Sequence, residues 1–338
     1  MNTISVSGKR LIDEYGRERI FNGVNFVYKG VDIDDDGVLR YKTDITPERL
    51  EALKNRGINI IRLGLTWAGI EPEPGKYNLE YLDGIKAVLK LCEKYEIYAF
   101  VDWHQDLFSY FCSTPGDGAP KWACLHTKKR SDPLFIWAEG YFFHKDVHQA
   151  FDDFWTNKEI DGRGLTDRFC DMLTFTADYL KDCKAVMGYD VFNEPFPGTP
   201  GGKVFRTLVK NGVGTILFNK RVDRKGLIND ALKKDVMAML SVADDPKVYH
   251  KIIDAANDII YEFDTKRYYP FLVKAAAALR KADPTGIIFS ENCYYSNLGI
   301  PFCAPPITVD GNRDNMKVDV VGSAIFAADS ATVNIKDG

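Results

Sequence analysis

Residues 189–198 have the sequence YDVFNEPFPG, in which an apolar stretch stops at an asparagine, a glutamate and two prolines. The stretch begins at Ala185 and is largely apolar, which is typical of a strand buried on both faces of a sheet. Proline has no backbone N–H to donate, so it ends such a strand. The sequence therefore predicts a buried strand with Asn193 and Glu194 fixed at its carboxyl end.

Four further apolar stretches have the same form and alternate with stretches of helical periodicity. The five predicted strands cover residues 21–27, 58–67, 97–106, 185–195 and 285–295. The predicted helices cover residues 46–57, 79–95, 148–157 and 165–183, and residues 207–283 are predicted to be helical or looped throughout. This alternation of doubly apolar strands with helices indicates a parallel sheet. Ahead of it, residues 4–20 predict a short hairpin with its turn at Asp13–Gly16.

Polar residues stand at the carboxyl ends of the predicted strands, where a (β/α)8 barrel builds its active site. They are Asn25, Lys29, Trp67, His104, Asp106, Asn193, Glu194, Glu291 and Asn292. No GxGxxG follows the first strand and no GxxxxGK[ST] occurs, so the phosphate cradles of dinucleotide-binding and P-loop folds are missing. We therefore predict an α/β fold of the (β/α)8 TIM barrel type. A long loop from Leu107 to about Val147 is predicted to form a lid or binding wall.

The composition limits the possible partners and the compartment. The 338 residues are enough for one large barrel, and the net charge of −4 gives no electrostatic argument for nucleic acid or an anionic membrane as partner. The longest apolar runs, such as Ile58–Leu65, are too short to span a bilayer, so no stable membrane insertion is expected. The start has no apolar signal segment. We expect a cytoplasmic protein as written, or a secreted or lysosomal one if the natural start is missing.

The seven cysteines do not decide between these compartments. They form no CxxC pair and no zinc-like spacing with the five histidines, so no metal site is predicted from them. Cys112 and Cys124 flank a glycine-rich loop and would be able to form a disulfide in an oxidising compartment. Free thiols in a reducing compartment are the equal alternative.

The position of Glu194 indicates acid/base chemistry. Apolar surroundings at the end of a buried strand raise the pKa of a carboxyl group, which then holds a proton near neutral pH and delivers it to a leaving oxygen. The amide of Asn193 is placed to grip a neighbouring substrate hydroxyl. The alternative, a glutamate that only caps the following turn, is less compatible with the buried strand before it.

Several motifs resemble those of the family 5 glycoside hydrolases. They are NEP after the fourth strand, Arg62 in IRLGLTW on the second strand and the histidine at the end of the third. Within that family, GVNFVYKG, VDWHQDLF, GDGAPKW and YDVFNEPFPG resemble the endoglycoceramidase branch, over roughly residues 16–303. Enzymes of that branch cut the β-glycosidic bond between an oligosaccharide and ceramide, so the resemblance implies a retaining glycosidase and a glycolipid substrate.

The resemblance also implies roles for individual residues. Glu194 would be the general acid/base, Asn193 the partner of the sugar 2-hydroxyl and Arg62 a support from beneath. Lys29, His104 and Asp106 would contact the sugar next to the scissile bond. A purely structural role for Arg62 is an equal alternative, because an arginine in an apolar strand must pair with an acceptor in any case. Neither a cofactor nor a metal is implied, since this chemistry needs only carboxyl groups.

Three tryptophans are second-rank candidates. Trp103, Trp122 and Trp137 have the side chains to stack on sugar faces or to line a lipid slot. Most tryptophans belong to the hydrophobic core, so we place these three below the polar residues.

The sequence departs from the family pattern at the nucleophile. A retaining glycosidase needs a second carboxylate about 5 to 5.5 Å from the first, and the family has it in a TEFG-like stretch on the seventh strand, which we do not find. The His-x-Tyr expected on the sixth strand is missing too. Glu291 matches a non-nucleophilic acidic position, so no nucleophile is assigned. Residues 304–338 contain no leucine and one aromatic, Phe326. We therefore expect residues 1–303 to be the first five strands of a barrel and residues 304–338 to be an atypical, frame-altered or disordered tail.

Two other functions stay open on these residues. The same strand ends would serve a β-glucosidase acting on glucosylceramide or a sterol glucoside. Without a nucleophile, the chain would instead be an inactive protein that binds glycolipids. In each case the expected partners are a glycolipid substrate and transient contact with lipid surfaces.

Overall fold

The computed structural model of the chain describes residues 1–29, 45–134, 136–227, 244–305 and 307, and the backbone of three short strands outside these ranges. The strands are β1 (Ile4–Ser7), β2 (Arg10–Asp13), β3 (Gly23–Val27), β4 (Asp32–Ile33), β5 (Leu39–Arg40), β6 (Ile60–Thr66), β7 (Tyr98–His104), β8 (Glu159–Ile160), β9 (Arg163–Gly164), β10 (Val186–Asp190), β11 (Ile287–Ser290) and β12 (Val320–Gly322).

The helices come between and after these strands. They are α1 (Pro47–Asn55), α2 (Trp67–Ile70), α3 (Leu79–Tyr95), α4 (Glu139–Phe143), α5 (Lys145–Trp155), α6 (Leu165–Leu180), α7 (Thr199–Phe218), α8 (Pro246–Ile253), α9 (Asn257–Phe263) and α10 (Tyr269–Ala282). Short 3-10 turns cover Lys121–Ala123, Asp254–Ala256 and Tyr294–Leu298, and a π-helical turn covers Asp264–Tyr268. No helix in the described part of the chain is both long and apolar enough to cross a lipid bilayer.

Six parallel strands form the central sheet, in the order β12-β11-β10-β7-β6-β3. The five predicted strands are all present, and in the fourth the regular strand ends at Asp190, three residues before Asn193. The middle strands β6 and β7 are buried almost throughout, as their apolar sequences require. Strand β12 pairs with β11 and lies inside residues 304–338, where no strand was predicted.

Two predicted helices begin with the caps that their sequences indicate. The Thr46 hydroxyl accepts a hydrogen bond from Arg49 N at 3.4 Å, with Pro47 at the first helical position of α1. Asn78 caps α3 in the same way, through Tyr81 N at 3.1 Å. Side-chain oxygens thus satisfy N–H groups that a helix start leaves without partners.

The amino-terminal hairpin closes one end of the sheet. Strands β1 and β2 pair antiparallel, with Ser7 opposite Arg10, so the hairpin turn lies at residues 8–9. The turn predicted at Asp13–Gly16 exists as a second turn that follows β2. The hairpin covers an apolar cluster at the amino ends of the strands, formed by Ile4, Ile60, Tyr98, Phe100, Met187, Ile287 and Phe289.

Two long connections cover the opposite, carboxyl edge of the sheet. Their described parts are residues 105–134 and 136–164, between β7 and α6, and residues 191–227 and 244–268, between β10 and α10. The predicted loop from Leu107 to Val147 belongs to the first of them and contains α4. Helices α6 and α10 pack on each other as barrel helices. The connections therefore build the surface above the strand ends, where an active site of this fold belongs.

All seven cysteines are free thiols in the structure. Of the two alternatives for Cys112 and Cys124, the structure shows the unbridged one: the Cys112 thiol lies 3.3 Å from Thr127 Oγ1, and the Cys124 thiol donates to Pro120 O at 3.5 Å.

Candidate active site

Arg62 lies at the centre of a buried ionic cluster among the strand ends. Its Nη1 is 2.8 Å from Asp102 Oδ2, and its Nε and Nη2 donate to Asp190 Oδ2 at 2.8 and 2.6 Å. Nη2 also donates to Glu291 Oε1 at 3.1 Å. The register of the sheet explains this gathering, because Asp102 on β7 stands opposite Asp190 on β10. Arg62 thus ties three neighbouring strands together.

Three carboxyl groups surround this one guanidinium, and Asp102 is also paired with His104. Burial raises the pKa of Glu291 well above its usual range, and the negative charge of Asp190 raises it further. Both effects favour the protonated form of the Glu291 carboxyl group, which is held by Arg62. A buried carboxyl group in this state is a poor nucleophile.

His104 stands between two carboxyl groups. Its Nδ1 is 2.8 Å from Asp102 Oδ2, and its Nε2 is 3.4 Å from Asp106 Oδ2. Burial lowers the pKa of His104, but the negative charges of Asp102 and Asp117 outweigh burial and raise it to about 10. The side chain is therefore an imidazolium at neutral pH, with a proton on each ring nitrogen.

Lys29 and Asp106 form an ion pair above His104. Burial works against the lysine charge, yet the carboxylate of Asp106 raises the pKa of Lys29. Asp117 holds Asp106 in place, since its Oδ1 accepts a hydrogen bond from Asp106 N at 2.8 Å. Burial raises the pKa of Asp117 to about 7. About half of the Lys29 side chain is exposed, so the pair faces the space above the sheet.

The amide of Asn193 is fixed at both ends. Its Oδ1 accepts from Arg62 Nη2 at 2.9 Å, and its Nδ2 donates to Gln105 O at 2.9 Å. The Gln105 amide in turn donates to Asn193 O at 2.8 Å. One N–H of the Asn193 amide is left over for a further acceptor. The cluster around Arg62 therefore orients this amide.

Glu194 follows in a strained backbone conformation, with a φ of 41°. Burial raises the pKa of its carboxyl group, while a hydrogen bond to Oε1 from Asn297 Nδ2 at 2.8 Å opposes the rise. The charge of Asp106 raises it further. A non-glycine residue is held at positive φ only where its surroundings enforce it, which is common at active sites.

Aromatic rings form one wall beside Glu194. The rings of Tyr141 and Tyr294 lie 4.4 Å apart, and the backbone N–H of Tyr294 donates to Pro195 O at 3.0 Å. Tyr141 also accepts a hydrogen bond from Leu107 N at 3.0 Å, so the long loop and the turn after Glu194 meet here. The site thus has a polar floor and an apolar side.

The structure brings all six polar residues of the sequence prediction into one site. They are Lys29, Arg62, His104, Asp106, Asn193 and Glu194. The prediction missed Asp102, Asp190, Gln105, Asp117 and Asn297. Asp102 and Asp190 were recognisable from the sequence, since each is an acidic residue inside an otherwise apolar strand and stands two or three residues before a motif residue. Asn297 was not, because only the fold brings it next to Glu194.

The three tryptophans have different positions. Trp103 is buried and stacks on Tyr189 at 5.9 Å, so it belongs to the core and is not available to a sugar. Trp122 is half-buried, with its Nε1 donating to Glu71 O at 3.1 Å. Trp137 is 44% exposed and lies edge-on to Tyr141 at 6.2 Å. Of the three, Trp137 is next to the aromatic wall.

His104, Asp106 and Asp117 have the side chains and the proximity of a metal site, since one ligand atom of each lies within 4.8 Å of the others. In the structure each of the three already has a partner within the site. His104 pairs with Asp102, Asp106 with Lys29, and Asp117 accepts a hydrogen bond from Asp106 N. These donors therefore form an internal ionic network.

Comparisons with known proteins show what the chain as a whole is similar to. Residues 22–319 match the family described as Cellulase (glycosyl hydrolase family 5). An endoglycoceramidase of Hydra vulgaris is 33% identical in an alignment 232 residues long that covers 61% of this chain and 43% of the relative. A glucosylceramidase of Cryptococcus neoformans is 25% identical in an alignment 255 residues long that covers 59% of this chain and 34% of the relative. The chain thus spans less than half the length of these relatives.

A solved structure shows the same fold. The complex of endo-glycoceramidase II from Rhodococcus sp. with ganglioside GM3 has a TM-score of 0.64 and 21% identity, over 92% of this chain and 57% of that one. The fold predicted from the sequence, a (β/α)8 barrel, is thereby confirmed. Because the family match extends over most of its length, the chain belongs to glycosyl hydrolase family 5, a family of glycosidases.

Proposed function

We propose that the protein acts on glycosphingolipids, at the β-glycosidic bond between the sugar and ceramide, with Glu194 as the general acid/base. The observation that carries this proposal is the carboxyl group of Glu194, whose pKa burial raises, placed at the strand ends beside the network of Arg62, His104 and Lys29. A carboxyl group in that state gives its proton to the glycosidic oxygen as the bond breaks.

The network below Glu194 suits the sugar next to that bond. Lys29 and Asp106 present a donor and an acceptor on the open side of the site, and the spare N–H of Asn193 is the donor for a sugar hydroxyl. The aromatic side, with Tyr294 and Trp137, suits the lipid part of the substrate. The relatives named endoglycoceramidase and glucosylceramidase favour the same substrate class.

The nucleophile is the missing half of this mechanism. In the described part of the chain, the other carboxyl groups of the site are Asp102, Asp106, Asp117, Asp190 and Glu291, and each is engaged by a neighbour within the network. No nucleophile is therefore assigned among the described residues, and an inactive protein that binds the glycolipid sugar is the second candidate function.

Incubation of the chain with lactosylceramide tests the reaction. Release of ceramide together with intact lactose supports the endo-cleavage, and release of single sugars supports a β-glucosidase acting on glucosylceramide or a sterol glucoside. If nothing is released, calorimetry with a soluble lactosyl lipid analogue follows. Binding without turnover supports the inactive binding protein, whereas the absence of both turnover and binding contradicts the proposal.

A further inference from the structure

Helix α7 carries a row of exposed apolar side chains. Val209, Val213 and Leu217 stand four residues apart, so they lie on one face of the helix, and they are 49%, 52% and 52% exposed. Phe218, at the end of the helix, is 81% exposed. A surface helix normally turns such residues toward the core. This apolar row therefore has no partner within the part of the chain that the structure describes.

Cations surround this apolar row. Seven of the residues 199–227 are lysine or arginine and one is acidic. Six of these cations are exposed and form no ion pair with any described residue, and these are Lys203, Arg206, Lys210, Lys220, Arg224 and Lys225. The seventh, Arg221, lies 3.1 Å from Asp245. The segment is strongly basic although the chain as a whole has a net charge of −4.

The helix lies on the same side of the barrel as the candidate active site. It begins at Thr199, five residues after Glu194, and Tyr295 Oη donates to Gly201 O at 2.7 Å beside the aromatic wall. Phe205 in its first half stacks on Phe142 of α4 at 4.5 Å. The neighbouring Phe143 is 62% exposed, so apolar surface continues from α7 onto α4.

We propose that residues 203–225 are a docking surface for anionic lipid bilayers. A helix with exposed apolar residues and flanking lysines and arginines is suited to lie in the bilayer interface, where its apolar face enters the acyl boundary and its cations attract anionic headgroups. A second copy of the chain is a poor occupant, because the lysines and arginines of the two copies would face and repel each other. A nucleic acid would use the cations but not the apolar row.

This surface stands independently of the reaction proposed above, since none of its residues belongs to the site. The net charge of the chain is negative because acidic residues elsewhere outnumber the cations of residues 203–225. It therefore does not show that this segment is basic. A bilayer bound at this face would lie next to the strand ends, so that a lipid-anchored substrate would reach Glu194 without leaving the membrane.

Sedimentation with vesicles tests the proposal. The chain should co-sediment with vesicles of phosphatidylcholine and phosphatidylserine that contain no glycolipid. Much less of it should co-sediment with vesicles of phosphatidylcholine alone. Added salt should weaken the binding. The triple variant Lys210→Glu, Lys220→Glu and Lys225→Glu should lower the partition coefficient by at least about tenfold. The matched control Lys9→Glu, Lys94→Glu and Lys281→Glu, on the amino-terminal side of the barrel, should leave it within about twofold of the original.

A second variant separates lipid from other polyanions. Leu217→Ser with Phe218→Ser keeps every charge and removes two exposed apolar side chains, so folding is preserved, as circular dichroism will check. It should weaken vesicle binding about tenfold or more if these side chains enter the bilayer. Unchanged binding of this variant, with displacement by RNA, would assign the surface to nucleic acid and overturn the proposal. Equal binding to both kinds of vesicle would also overturn it. So would a dimer of the original chain that this variant no longer forms in sedimentation velocity, because the surface would then belong to a second copy.

Discussion

Glu194 is the residue whose replacement tests the reaction most directly. Glu194→Gln keeps the shape of the side chain and removes the proton, so turnover of a natural glycolipid should fall by about 10² to 10⁴-fold in any form of the protein that hydrolyses it. With an aryl glycoside as substrate, the rate of the first step, in which the glycosidic bond breaks, should fall less, because that leaving group departs without being protonated. Azide should then restore the second step, since an anion needs no general base. Unchanged glycolipid turnover would show that Glu194 is not the acid/base.

Arg62 is expected to matter for stability whatever the reaction is. Arg62→Met leaves the buried Asp102, Asp190 and Glu291 without their cation, which should lower the free energy of unfolding by about 3–5 kcal/mol at neutral pH. Without the cation, the pKa of the buried Asp190 carboxyl rises further in the folded state, so the deficit should shrink as the pH falls and this group becomes protonated. Urea denaturation at pH 5 and pH 7 measures both effects.

The control for Arg62 is an exposed arginine with a single carboxylate partner. Arg163 pairs with Asp171 at the surface, with both side chains about half exposed. Arg163→Met should cost no more than about 1 kcal/mol, with little pH dependence. An equal loss in the two variants would mean that the cluster around Arg62 contributes nothing beyond an ordinary surface pair.

His104 gives the folded protein a pH dependence of its own. Its pKa is about 10 in the folded state and about 6.5 in an unfolded chain, so the folded state holds one more proton between these values. The stabilisation is complete below pH 6.5 and is lost as the pH rises toward 10, at about 1.4 kcal/mol per pH unit. His104→Gln should remove this slope from the urea-denaturation profile measured between pH 7 and pH 9. Parallel profiles for the two proteins would show that His104 is not an imidazolium.

The sequence predicted the residues of the site unequally, and the reason is physical. Motif residues at strand ends, such as His104 and Glu194, follow a buried strand directly and can be identified from one segment. Asp190 cannot, because its role depends on the register that places it opposite Asp102 and next to Arg62. Asn297 reaches Glu194 across 103 positions of sequence, and no local pattern marks such a contact.

At the scale of the elements, burial explains what was predictable. Strands β6 and β7 are buried on both faces, so their continuous apolar sequences identified them. Strand β12 is different, because Val320–Gly322 is only three residues long, and what the structure describes of it is its pairing with β11. The loop from Leu107 stays a prediction of a lid or binding wall. Helix α4 inside it has five residues and is too short for periodicity to reveal.

Gly188 in β10 tests the strand pairing next to the site. A Cβ at this position would lie 2.1 Å from Ile287 O, so Gly188→Ala must push β10 away from β11. We expect a loss of several kcal/mol in the free energy of unfolding, at the upper end of ordinary substitutions. The displacement also moves Asp190 relative to Arg62. Thermal and urea denaturation, each followed by circular dichroism, measure the loss.

Gly84 in α3 is the matched control, because a Cβ there would meet nothing within 4 Å. Gly84→Ala should stabilise the protein by about 0.5–1 kcal/mol through the better helix propensity of alanine. If both alanine variants have the same stability, the close approach of β10 and β11 at Gly188 does not exist in solution.

The described part of the molecule is a sheet of six parallel strands whose two ends differ. The amino-terminal end is covered by the hairpin β1–β2 over an apolar cluster, and it contributes to stability. The carboxyl end carries the ionic network, the aromatic wall and the basic helix α7, and we propose that the chemistry takes place there. This division follows from the fold, because parallel strands bring all their carboxyl ends to one edge.

Two truncations test whether residues 304–338 are separate from the folded part of the chain, as we propose. Among the described residues, the buried side chains of both apolar clusters lie almost entirely within residues 1–303, with Ile307 as the exception. The described contacts of the tail are this side chain and a three-residue pairing of β12 with β11. A chain ending at Cys303 should therefore lose only about 2–4 kcal/mol, the contribution of a few hydrogen bonds and one side chain.

Removal of residues 1–14 should cost more, because it uncovers the apolar cluster that includes Phe100 and Phe289 and takes away the buried Ile4. Each of these side chains stabilises by about 1.5–3 kcal/mol when it is fully buried. The shortened protein should also bind the dye ANS, which reports exposed apolar surface. Urea denaturation ranks the two truncations. If loss of the tail is the more damaging, β12 is an integral barrel strand, and the boundary that we propose at Cys303 is wrong.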